Sequence, residues 1–345
     1  MKKTRLLTFG FQFGALILAL LFTTAVLLLA GAPPLQAYLY IIKGSLSSIT
    51  NISNVLSAWA PLLLTTSGVL ITFAAGLWNI GIEGQIMVGA IFTTGALRIL
   101  LNSTVPTGWI LLIGFLAGMV GGAFWAVLAG ILKTFGGVNE IFGGLGLNFV
   151  ATAFALYLII GPWKRPGIAS TSGTLMFPDI LWLPTLPKLQ FSVWALGLGV
   201  LVVIIVYFIL RGTHLGLRLK AIGKNSKAAF LMGVPTWQYS VLAFLLCGVF
   251  AGLAGAIQVT SVYHRLTPGI SSGYGFLGLM VAMLINYQAI WAAPVALFFA
   301  ALNIGGIQLP IVLKLDSSLS GVLQGILVLF VLMVEGARQR LFKNR

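Results

Sequence analysis

Long apolar runs, broken by short clusters of Gly, Pro and charged residues, dominate this chain. A helix needs roughly 17 to 25 mostly apolar residues to cross a bilayer, and by that measure the pattern predicts about ten crossings. They fall near 8–30, 55–76, 84–101, 108–132, 140–161, 191–210, 238–260, 276–290, 292–309 and 320–335. The second and third are hard to separate. Only Asn286, Tyr287, Gln288 and Pro294 divide the eighth from the ninth, and either pair is read as spanning or re-entrant. The expected fold is all-α, a polytopic membrane helical bundle forming a single domain over 1–345.

Composition agrees with lipid as the solvent. Of the 345 residues 59% are hydrophobic and only 7% charged, with a mean hydropathy of +1.07, whereas a soluble globule carries about a quarter charged residues. The 42 glycines suit transmembrane helices that pack backbone to backbone through small residues. Cys247 is the sole cysteine, so no disulfide forms within the chain, and packing is its expected role.

The net charge of +15 would suggest nucleic acid in a soluble protein. Here twenty Lys and Arg face only five acids, and most of the bases fall on one side of the predicted membrane. With the N-terminus inside, cytoplasmic segments collect thirteen of the twenty, among them Lys2, Lys3, Arg5, Lys133 and those of 211–237 and 338–345. That asymmetry satisfies the positive-inside rule with both termini cytoplasmic. The basic excess is a topology signal, and no nucleic-acid partner is expected. The run from Lys2 to Ala32 has a signal-like start, but its apolar part is too long and lacks a small-x-small cleavage site, so it is expected to stay as a first helix.

Polar residues inside the apolar runs are the candidates for chemistry, because such groups are costly at membrane depth and mark ligand or ion paths. Leu77–Gly89 holds three of them, Asn79, Glu83 and Gln85. Asn79 and Glu83, four apart, can share a helical face; Glu83 and Gln85 cannot. Asn139, Glu140 and Asn148 follow in the next polar cluster. Glu140 is read either as a pathway group or as the start of the fifth helix, where a carboxylate favours the N-terminal dipole. Asn148, eight residues on, lies about 12 Å along that helix and needs a hydrogen-bonding task. Gly144–Phe149 (GLGLNF) is echoed by Ala282–Tyr287 (AMLINY), which nominates Asn286 and hints at the duplicated or inverted halves common in transporters. Amides and carboxylates supply the donors and acceptors that a ribose hydroxyl or a base edge needs. Glue between helices is the competing role for Asn79 and Glu83. Trp78, Phe142, Phe149 and Tyr287 are read as stacking surfaces or plain packing. His264 and Arg265, in a short outer segment, are candidates to meet a binding protein, while Trp163, Lys164, Arg165, Trp182 and Lys188 in the outer loop 162–190 read equally well as interfacial anchors.

Between the sixth and seventh spans, residues 211–237 form the longest cytoplasmic loop, with its own short helix. Asn225 or Ser226 caps it, Lys227 to Met232 supply the turns, Gly233 ends it and Pro235 prevents continuation. Ala228, Ala229, Phe230, Leu231 and Met232 offer an apolar face that asks for a partner, unless the helix lies on the bilayer surface.

Three motifs together resemble a known family: Asn79–Gln85 (NIGIEGQ), Gly137–Ile141 (GVNEI) with Leu147–Phe149 (LNF), and Leu217–Ala229 (LRLKAIGKNSKAA). They are similar to the inner-membrane permeases of bacterial ABC importers for simple sugars and nucleosides, with the nucleoside branch the nearer. The resemblance covers most of the chain. It implies a half-transporter in the bacterial inner membrane: a second permease chain, identical or related, completes the path, a cytoplasmic ABC ATPase hydrolyses ATP with Mg, and an extracytoplasmic lipoprotein delivers the nucleoside or sugar. It also implies that Asn225, Ser226, Lys227, Ala228, Ala229, Phe230, Met232 and Gly233 couple to the ATPase. The family's usual acid before the Asn and Pro after it are replaced here by Lys224 and Ser226.

The residues agree that energy comes from elsewhere, since no Gly-x-x-x-x-Gly-Lys-Ser/Thr phosphate loop is present. No zinc-type or Ser/His/Asp constellation is visible, so no catalytic residue, metal or cofactor of the chain's own is expected. The rival reading is an ion-coupled secondary transporter, in which Glu83 or Glu140 carries a proton.

Overall fold

Helices are the only way an uninterrupted apolar chain satisfies its own backbone in lipid, and the computed structural model of this protein is built from them. It describes residues 17–167, 171–186, 189, 191–285, 288–316 and 318–343, and no strand occurs among these. In chain order the helices are α1 (Ile17–Leu29), α2 (Pro34–Leu46), α3 (Ile49–Ala74), α4 (Ile82–Leu100), α5 (Thr107–Thr134), α6 (Glu140–Ile160) and α7 (Val193–Gly212). There follow α8 (His214–Lys224), α9 (Ser226–Leu231), α10 (Thr236–Ile257), α11 (Tyr274–Leu284), α12 (Ala292–Gly306), α13 (Gln308–Leu313) and α14 (Leu319–Lys343). A π-helical turn, Gln258–Val262, prolongs α10.

Among the described residues, six helical stretches are long and apolar enough to cross a membrane, seven if the α1–α2 pair counts as one bent span. The expected ten crossings differ for local reasons. α1 and α2 meet at 108° across Gly31–Pro33, where proline ends one helix and starts the next. α4 spends its apolar character on Glu83, Gln85 and Arg98. α11 stops after eleven residues, so the expected eighth span is too short to cross alone.

The burial of each helix follows its neighbours. α3 lies at the centre, 83% of its most apolar window buried, and α10 with its π turn follows at 67%; α5, α6 and α7 bury only about a third or less and present their remaining side chains outward. Lipid tails are as apolar as leucine, so helices associate through close packing and interhelical hydrogen bonds. The seam among α4, α5 and α10 shows how close: a methyl group added to Gly252 would collide with the Gly118 carbonyl oxygen. Cys247 is fully buried in this core, the packing place expected of it.

Candidate functional site

The chain unwinds between α3 and α4, and the side chains singled out in the sequence gather on that break. Gly76 turns the backbone out of α3 with a φ of +73°, a conformation that costs a side-chain-bearing residue dearly. It also packs against Gly223 of α8, so the break touches the 211–237 loop. Past it, Asn79 and Gln85 form a reciprocal amide pair. Asn79 Nδ2 donates to Gln85 Oε1 at 3.1 Å, and Gln85 Nε2 returns a bond to Asn79 Oδ1 at 2.9 Å. Asn79 also reaches Cys247 Sγ at 3.1 Å. Both amides are fully buried.

Asn148, from the middle of α6, supplies what the unwound backbone lacks. Its Oδ1 accepts from Gly84 N–H at 2.8 Å, and its Nδ2 donates to the Ile80 carbonyl at 2.9 Å. It thus satisfies an orphan donor at the start of α4, the hydrogen-bonding task its depth demanded. Glu83 Oε1 accepts from Phe276 N–H at 3.0 Å, which ties α4 to the first turn of α11. Glu140 pairs with Lys133 Nζ at 2.5 Å and faces the Trp78 backbone N–H. Asn139 instead caps α6, accepting from Ile141 N–H at 2.8 Å. Asn286 and Tyr287 lie outside the described residues. Five of the predicted residues, Asn79, Glu83, Gln85, Glu140 and Asn148, therefore converge on one break. Their hydrogen bonds run to partners within the chain.

At the far end of the same helices lies a cavity of about 810 Å³. The first turns of α3 contribute Asn54 and Ser57, the π turn contributes Ser261, and the loop after α6 contributes Asp179, Trp182 and Thr185. Tyr274 closes it from α11, directly before the Gly275–Phe276 pair that contacts Glu83. Sequence reasoning missed this site. Trp182 and His264 were singled out separately, but nothing joined them to Asn54, Asp179 and Ser261.

The cavity wall is a backbone clasp between the loop after α6 and the segment after α10. Phe177 N–H donates to the His264 carbonyl at 2.8 Å, Thr174 N–H to Leu266 at 2.9 Å and Leu183 N–H to Thr260 at 2.9 Å. Trp182 and His264 stack at 3.7 Å with their rings 14° apart, and the Trp182 indole donates to the Phe177 carbonyl. This fixes Trp182 within the loop. His264 holds a left-handed φ of +54°, uncommon without glycine and found most often where function repays the strain. Burial holds its imidazole below the usual histidine pKa, partly offset by the Thr260 carbonyl and the Asp179 carboxylate.

The 211–237 loop forms the helix expected of it. Asn225 Oδ1 accepts from Ala228 N–H at 3.0 Å as the N-cap of α9, and Gly233 ends the helix with a φ of +84°. Ala229 turns inward and is buried, while Phe230, Leu231 and Met232 project from the tip, the last two 85% exposed. Of the other loop residues, Ser226, Lys227 and Ala228 form the exposed first turn.

Residues 51–332 match the family described as "Branched-chain amino acid transport system / permease component". The chain belongs to this family. Among curated relatives, the permease is 32% identical to the glucose ABC transporter permease protein TsgB13 of Haloferax volcanii, over 92% of this chain and 86% of that one. It is 26% identical to the guanosine ABC transporter permease protein NupP of Bacillus subtilis, over 92% and 91%. It is likewise 26% identical to the nucleoside ABC transporter permease protein NupB of Lactococcus lactis, over 87% and 81%. Both the sugar and the nucleoside resemblance expected from the motifs are thus represented among its relatives.

Proposed function

We propose that this permease is the membrane subunit of an ATP-driven importer of nucleosides, with simple sugars as the nearest alternative, working in a bacterial inner membrane. Its path is completed by a second permease chain, a cytoplasmic ABC ATPase supplies the energy using ATP and Mg, and a lipoprotein outside delivers the solute. The single observation that carries this reading is the α9 tip. Leu231 and Met232 stand almost wholly exposed on a capped helix whose parent loop packs against the α3–α4 break. An apolar tip of this kind fits a docking cleft, and the Gly76–Gly223 contact gives its motion a direct route to Asn79, Glu83 and Gln85. Those residues, with Asn139, Glu140, Asn148 and Asn286, are the proposed frame of the pathway. The nucleoside and glucose transport named for the relatives supports the solute class.

Two substitutions test the coupling. Leu231→Glu leaves the buried face of α9 intact, and is expected to keep the permease folded while abolishing co-purification of the ATPase and ATP-driven uptake. Ala229→Glu is a poorer probe than Leu231→Glu, because Ala229 is buried. Normal uptake by Leu231→Glu together with loss of uptake in Glu83→Gln would instead establish the proton-coupled carrier.

A further inference from the structure

We propose that the cavity opposite the coupling loop is a binding station for a ribonucleoside, in which the Trp182–His264 pair offers the platform for the base and Asp179 accepts the vicinal hydroxyls of the ribose. This rests on the reading of the chain as a permease for such solutes, and it assigns a site within one permease chain.

The volume, about 810 Å³, lies within the range of small-molecule sites, roughly 300 to 1,000 Å³. Its chemistry combines flat and polar surfaces. Trp182 and His264 are stacked face to face, so the pair is a rigid two-ring block whose outer ring face is the platform, and Tyr274 adds a third ring. Asn54, Ser261 and Thr185 bring amide and hydroxyl groups to the same space. Asp179 is one of only five acids in the chain, stands exposed at this cavity, and makes no ion pair with any described Lys or Arg. A carboxylate has two acceptor oxygens and suits two adjacent hydroxyls. The backbone is specialised around it as well. Ser261 belongs to the π-helical turn, a rare element often met at functional sites, and His264 and Ser272 both hold positive φ. Tyr274 at the inner wall is followed directly by the residues that contact Glu83, so the first turn of α11 touches both the cavity and the start of α4.

The test uses the whole importer in nanodiscs without its delivery protein, and measures equilibrium binding of tritiated guanosine with unlabelled 2′-deoxyguanosine and glucose as competitors. Trp182→Ala is expected to weaken guanosine binding about tenfold or more, and Asp179→Asn by about tenfold while weakening 2′-deoxyguanosine, which offers Asp179 only its 3′-hydroxyl, by a smaller factor, as loss of charge-assisted bonds to two hydroxyls rather than one predicts. Thr185→Trp, on the exposed loop, fills the cavity without touching the core and is expected to abolish binding even if Trp182→Ala folds poorly. Wild-type affinity in all three variants, or no binding by a wild-type complex that imports guanosine, overturns the proposal. Displacement by glucose alone overturns the ribonucleoside assignment. Binding that is lost in the variants, in a complex with no ATP-driven uptake of guanosine or glucose, keeps the cavity and removes the importer reading.

Discussion

The α3–α4 break and the clasped rim of the cavity both carry polar groups in an apolar chain, and they treat them differently. At the break, the side chains of Asn79, Gln85 and Asn148 are engaged by other groups of the chain. At the rim, buried atoms of His264, Arg265, Arg165, Thr267 and Gln258 have no partner among the described residues. A satisfied network rigidifies, and an unpaired buried polar group costs stability. The difference is one of degree, since the buried Trp125 Nε1 beside Gly84 is also without a partner among the described residues.

The comparison breaks most visibly at the amide pair. Asn79→Leu strands both ends of the buried Gln85 amide and should cost about 2–3 kcal/mol, read as a lowered unfolding temperature in detergent. The double variant Asn79→Leu/Gln85→Leu removes both partners and should recover part of that loss, because matched apolar replacement avoids the stranded group. No recovery would mean that the pair's value lies in shape alone. Next in size, Asn148→Ala frees the Gly84 N–H and the Ile80 carbonyl, for about 1–2 kcal/mol. Faster amide exchange confined to residues 80–85 is the result to look for, and exchange spread evenly over α4 would count against a local capping role.

The smallest effect sharpens the rim. His264 has its pKa lowered by burial, so the folded clasp prefers the neutral ring. Its contribution is present above the ordinary histidine pKa and is lost as pH falls below it towards the lowered folded value. Proteolytic nicking of the loop 171–186 should rise as pH drops through that window, and His264→Gln should flatten the profile. An unchanged profile in the variant would assign the pH response elsewhere.

Much of this was legible in the sequence. Apolar run lengths located the long helices, and Asn225 with Gly233 announced both ends of α9, because capping chemistry is local. Asn148 was legible as a residue that needed a partner, yet nothing along the chain named Ile80 and Gly84 as those partners, which arrive from sixty residues away. The cavity was opaque for the same reason. Asn54, Asp179, Ser261 and Tyr274 are ordinary in their own segments and meet only through the packing of α3, α10, α11 and the loop after α6. The 108° turn between α1 and α2 was hidden too, since apolar composition counts residues and is blind to direction.

The glycine seam also bears on biosynthesis. Gly118 and Gly252 touch across more than a third of the chain, and α4, which carries Glu83, Gln85 and Arg98, falls short of the apolarity that would let it enter lipid alone. When α4 leaves the ribosome, the helix that closes its seam has not yet been made. Until α10 is synthesised, the close-packed glycine face of α4 and α5 stands without the helix that covers it. Truncated chains ending before about residue 260 would be the natural substrates of membrane quality control.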